Sequence, residues 1–149
     1  MKKDKKKLPK PLMALLISLS LLLMAASYPS AQQSEWKSPT EADKVINPFA
    51  GNADATAKGK KLYMTYCSVC HGNTGKGDGP AGGGLTPKAA DHSSEKVQKQ
   101  TDGAIFWKIT NGRAPMASYK EILKDEQRWQ LVNYIRELGK TINAATIKK

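Results

Sequence analysis

The chain has 149 residues, 24 Lys and Arg against 13 Asp and Glu, a formal net charge of +11, 40% hydrophobic residues and two cysteines. Such a length holds one domain rather than two, and two cysteines used together leave nothing for a second disulfide or a second metal. The lysines are scattered among Gly, Asp and Ala, without the interleaved aromatics that stack bases, so nucleic acid is excluded as the expected partner and an acidic docking surface or an anionic membrane suits the charge better.

Residues 1–27 read as an export signal: Lys2, Lys3, Lys5, Lys6 and Lys7 precede an apolar run of 15 residues from Leu12 to Ala26, short for a spanning helix. A cut after Ser27 places Ala25 and Ser27 at the small-residue positions. The competing reading keeps the segment as an uncleaved amino-terminal anchor. Both put the rest of the chain in the periplasm or another extracytoplasmic space, with membrane association under the second. Removal of the segment leaves 18 basic against 12 acidic residues, a net +6.

Residues 28–53 are rich in Ser, Pro, Gln and Ala without an apolar period, and read as a linker or extension. Trp36 and Phe49 stand out there, as pins to the body or as exposed side chains. The domain proper is expected over 54–140, with a patternless tail at 141–149. Asp54 is the expected cap of a helix through Leu62, Tyr63 and Tyr66. Gly59 inside that helix costs about 1 kcal/mol relative to alanine, which predicts a close helix crossing at that point.

The helix leads into Cys67-Ser68-Val69-Cys70-His71, both cysteines of the chain in one CxxCH motif. Two thiols on one turn can each close a thioether to a vinyl group on one porphyrin edge, and the adjoining imidazole is delivered to one face of the iron. Other readings fit less well. A redox dithiol would want a thioredoxin-like βαβ pattern. Structural zinc would want four thiolate or imidazole ligands, while only His71 and His92 join the two cysteines. A disulfide would leave His71 unexplained.

Gly72 to Gly84 holds seven glycines in thirteen residues, without the Gly-Lys-Ser/Thr ending or preceding strand of a phosphate loop. The glycines are expected to let backbone pass close to a flat ligand edge. His92, in Asp91-His92-Ser93-Ser94, reads as a solvated loop residue. Thr101 caps a further helix through Ile105, Phe106, Trp107 and Ile109 that ends at Asn111-Gly112, with Ile105, Ile109 and one of Phe106 or Trp107 facing inward. Asp125 or Glu126 begins a last helix with Leu131, Val132, Ile135 and Leu138 on its apolar face and Gly139 as its stop. Trp129 and Tyr134 could fill the space beside Gly59.

This arrangement resembles the class I cytochrome c family, small single-haem electron carriers, over roughly residues 54–140. The likeness is carried by CxxCH at 67–71, Gly75-Lys76-Gly77-Asp78-Gly79-Pro80-Ala81, Thr101-Asp102-Gly103, and Trp129 with Leu131-Val132-Asn133-Tyr134-Ile135-Arg136. It is most similar to the bacterial periplasmic or membrane-associated members. The resemblance implies an all-α fold of about three to five helices around one covalent haem c, the N- and C-terminal helices crossing, a histidine on one haem face and a methionine from a late loop on the other.

Outside the signal only Met64 and Met116 exist. Met64 lies three residues before Cys67, on the histidine side. Met116, 45 residues after His71 in Gly112-Arg113-Ala114-Pro115-Met116-Ala117, has the reach for the opposite face. The family usually places proline after this methionine, whereas here Pro115 precedes it. His92 as a second imidazole, or an open sixth position, are the competing readings. A Met/His pair favours reduced iron more than two imidazoles would.

The resulting expectation is a one-electron carrier in a respiratory or other extracytoplasmic chain, without catalytic residues or a small-molecule substrate, docking on redox proteins with acidic surfaces. Cys67 and Cys70 attach the haem; His71 and Met116 are the iron ligands. Two alternatives stand beside it: a fixed cytochrome c subunit of a membrane oxidoreductase, and a haem peroxidase or gas sensor with an open sixth position.

Overall fold

The computed structural model describes residues 35–146, so the expected signal at 1–27 lies outside the described residues. Six helices and no strand occur among them: α1 (Thr40–Asp43), α2 (Ala53–Tyr66), α3 (Ser68–His71), α4 (Glu95–Gln98), α5 (Asp102–Asn111) and α6 (Asp125–Thr146). The all-α expectation holds. None of these helices is long and apolar enough to cross a membrane.

Helix α2 buries Ala55, Gly59 and Tyr63, a stripe at spacing four that faces α6. The glycine decides the approach: a Cβ at Gly59 would fall on the backbone carbonyl of Gln130. The crossing read from Gly59 is therefore present, and Leu131 and Val132, both 0% exposed, fill the groove on either side. Tyr63 meets Tyr134 edge-on at 5.1 Å. Tyr66, one turn further on, is exposed and packs edge-on against Tyr119 at the helix end.

The start of α2 is set by Asn52, whose side chain accepts from Ala55 N at 2.9 Å, rather than by Asp54. Asp54 instead pairs with Lys58 one turn on, at 2.9 Å. Thr101 caps α5 as expected, accepting from Ala104 N at 3.0 Å, and Gly112 at φ +63° ends that helix. Ile105 and Ile109 are buried, and Phe106 supplies the third inward side chain, stacked on Trp129 at 4.0 Å.

Gly139 does not stop the last helix, which runs on to Thr146. Its backbone is not left-handed. The missing side chain makes room for Gln98, which lies where a Cβ would be and bonds Ile135 O at 2.9 Å through its amide. The glycine is a packing residue, so nothing interrupts the hydrogen-bond ladder.

Before α2, the chain is fastened to the body by a buried polar junction. Asn47 donates to Asp102 Oδ2 at 2.8 Å and to Asn133 Oδ1 at 2.7 Å, and its own Oδ1 accepts from Phe49 N. Asn133 in turn donates to Phe49 O, while Arg136 pairs with Asp102 at 2.7 Å. Phe49 packs against the core. Trp36 lies under the cations of Arg113 and Lys108, at 5.1 and 5.6 Å. Gly103 brings α1 close, since a Cβ there would meet Ala42 O.

Candidate haem site

Helix α2 runs almost directly into α3, and Cys67 at the junction accepts from Cys70 N at 3.2 Å and from His71 N at 2.9 Å through its carbonyl. One turn thus carries both thiols and the imidazole. The cysteines are unpaired and half-buried. Burial, and then the neighbouring Cys70, push the Cys67 thiol up to about 12. At neutral pH it is a protonated thiol, unlike the activated thiolate of a redox dithiol.

A turn of four residues leaves most of its carbonyls without helical partners, and the glycine-rich loop supplies them. Gly72 N makes the last helical bond, to Ser68 O at 2.8 Å, and beyond it Gly77 N bonds His71 O at 2.8 Å, Gly79 N bonds Cys70 O at 3.2 Å and Ala81 N bonds Val69 O at 2.9 Å. Cβ atoms at Gly79 and Gly82 would fall on the backbone of residues 68–70. These two glycines therefore let the loop close over the motif's own backbone.

His71 is buried, and its Nδ1 lies 2.9 Å from Ala90 O. A carbonyl only accepts, so Nδ1 carries the proton and Nε2 keeps its lone pair free. Burial lowers the affinity of His71 for a second proton, against the opposing pull of Ala90 O. A neutral imidazole with one nitrogen held and the other open is the form that ligates iron. Two unpaired thiols on the same turn complete a donor set that fits a covalently held haem.

Met116 belongs to the late loop. Its backbone pairs with Arg113 in both directions, at 2.9 and 3.0 Å, and its half-buried side chain packs against the core. The same loop leads to Tyr119, whose hydroxyl donates to Tyr66 O at 2.9 Å and whose own pKa is raised by burial and then by the nearby Cys67 and Cys70. Tyr119 was not expected at the site. Its only sequence signal is an aromatic a few residues beyond Met116.

His92 also differs from expectation. Far from solvated, it stacks face to face on His71, ring centroids 3.9 Å apart and planes 19° apart. Burial, and then His71, hold it well below the ordinary histidine range. Rings stacked in this way are not disposed on opposite sides of a shared metal. Asp91 explains the placement: its carboxylate accepts from Ser93 N at 2.8 Å, a side-chain turn that folds the polar run inward.

The Cytochrome c family model matches residues 56–139. The chain belongs to the cytochrome c family. Its cofactor is accordingly haem c, and its fold is the cytochrome c fold. A Cbb3-type cytochrome c oxidase subunit CcoP of Azospirillum sp. strain B510 is 33% identical over 98 residues, covering 63% of this chain and 32% of the relative. A chain of the Kuenenia stuttgartiensis reducing HAO-like protein complex superposes with a TM-score of 0.55 at 28% identity, over 63% of this chain and 49% of the other. This cytochrome c thus spans about one third of that curated relative and half of that solved chain.

Proposed function

We propose that this cytochrome c is a one-electron carrier in which Cys67 and Cys70 hold haem c through thioethers and His71 and Met116 take its two axial positions. The observation that carries the reading is the His71 ring: buried, fixed at Nδ1 by Ala90 O, with Nε2 left for iron one residue beyond two unpaired thiols. When bound, haem c supplies a one-electron couple at its iron. The chain's own task is to hold that couple dry and rigid. Closure of the glycine loop on α3 fixes the His71 side, and the paired backbone of Arg113 and Met116 presents a thioether that favours the reduced state.

With His71 and Met116 both holding the iron, no position would be left for a small molecule, and the haem would supply outer-sphere one-electron exchange. Donors and acceptors on the periplasmic side are redox proteins with acidic surfaces, matching the net positive charge of residues 28–149, 18 basic against 12 acidic. The similar proteins favour a specific form of this role, an electron-transfer subunit within a larger oxidoreductase, since one is an oxidase subunit and the other part of a complex.

Carbon monoxide added to the reduced protein at neutral pH tests the ligation. The carrier reading expects negligible binding by the wild type, a weak near-infrared sulfur-to-iron band in its oxidised form, and loss of that band with gain of carbon monoxide binding in Met116→Ala. Rapid full binding by the wild type supports the peroxidase or sensor reading instead.

A further inference from the structure

The short backbone run 90–92 touches His71 twice: Ala90 O accepts a hydrogen bond from its Nδ1–H, and the His92 ring lies flat on its face. A hydrogen bond at one ring atom leaves the imidazole able to rock about that contact. A flat neighbour at van der Waals distance removes this freedom, because tilting the ring drives one edge into the wall.

His92 is itself held on several sides. Its backbone N bonds Gly75 O at 2.6 Å and its carbonyl accepts from Gln98 Nε2 at 2.6 Å. Its Nδ1 lies 3.2 Å from the Tyr63 hydroxyl, which also reaches Gly72 O at 3.3 Å. Tyr63 has a single proton and Gly72 O can only accept, so both contacts are hydrogen bonds in one arrangement alone: His92 Nδ1–H donates to Tyr63 Oη, and Tyr63 donates to Gly72 O. The Tyr63 ring, 0% exposed, meets His92 edge-on at 5.7 Å. There is no slack behind it either, since a Cβ at Gly75 would press on both His92 Cβ and Leu138.

We propose that His92, braced by Tyr63, is a positioning residue: its stacked ring fixes the plane of the His71 imidazole about the bond that ring makes to iron. This rests on the reading of His71 as an axial ligand. The orientation of an axial imidazole plane relative to the porphyrin nitrogens sets the splitting of the iron d orbitals. That splitting is visible in the ferric electron paramagnetic resonance spectrum, and a wall acting only on stability would leave it unchanged.

The test compares the haem-loaded wild type with His92→Phe, which keeps a flat ring, and His92→Leu, which fills similar volume without one. Tyr63→Phe keeps the ring and removes the hydroxyl that accepts from His92 and donates to Gly72 O. The expected result is a shift of the low-spin ferric g values and of the reduction potential in His92→Leu, a smaller shift in Tyr63→Phe, and near-wild-type g values in His92→Phe. Wild-type g values in His92→Leu overturn the proposal, as does loss of the low-spin signal in both His92 variants, which would make His92 a ligand. His71→Ala separates the underlying reading: an unchanged low-spin spectrum there refutes His71 as ligand, whatever the His92 series shows.

Discussion

Gly59 rests directly on the carbonyl of Gln130, where α2 crosses α6. A methyl group there would gain about 1 kcal/mol of helix propensity. It would also have to displace backbone, at the upper end of the usual overpacking cost of about 1–3 kcal/mol. The clash wins. Gly59→Ala is expected to lower the stability of the haem-loaded protein by about 2 kcal/mol and Gly59→Val by more, read as the shift of the urea midpoint at unchanged slope.

The junction at Asn47 gives a second expectation. Asn47→Ala removes both donors given to Asp102 and Asn133 and leaves the buried Asn133 carbonyl without that partner. An orphaned buried acceptor costs about 1–3 kcal/mol. Asp102 retains Arg136 and loses less. A double-mutant cycle of Asn47→Ala with Asn133→Ala is therefore expected to show coupling, whereas Asn47→Ala with the exposed Lys99→Ala is expected to be additive.

Much of this fold could be read in the sequence, because the signals were local. Thr101, Gly112 and the apolar face Leu131, Val132, Ile135 and Leu138 act through neighbours within a turn or two, and the CxxCH spacing is a chemical requirement rather than a statistical one. What escaped depends on distant partners. Gly139 has the type of a helix stop, and only the Gln98 side chain, far along the chain, makes it a packing site. His92 sits in a polar run that carries no mark of the histidine 21 positions earlier on which it stacks. The polarity of Asn47 suggests a loop, while its two side-chain partners lie 55 and 86 residues away.

Alkaline pH provides a third prediction. Burial first, with nearby negative groups adding to it, raises the folded-state pKa of Tyr63, and burial likewise raises Tyr134. The unfolded chain, with tyrosines near an ordinary value of about 10, sheds protons first as pH rises. The folded state then binds more protons than the unfolded state, so unfolding free energy falls with pH. This contribution is fully present below about pH 10 and is lost from there toward the folded-state value. Urea midpoints at pH 8 and pH 11 are expected to differ less in Tyr63→Phe than in the wild type.

Dependence on the cofactor follows from size. A body of about 90 residues without disulfides has a limited core, and a ligand bound only by the folded state adds to its stability. Cys67→Ala with Cys70→Ala is expected to leave little folded protein, seen as a broad, weak thermal transition by circular dichroism. A sharp cooperative transition in that variant would show that the helices suffice alone.

The most direct measurement is retention of haem by the denatured polypeptide. Protein produced with export and haem maturation, then unfolded and extracted with acidified organic solvent, is expected to keep one haem per chain on the peptide that contains Cys67 and Cys70. A colourless polypeptide, or haem that passes wholly into the solvent, would contradict the covalent attachment on which the account rests.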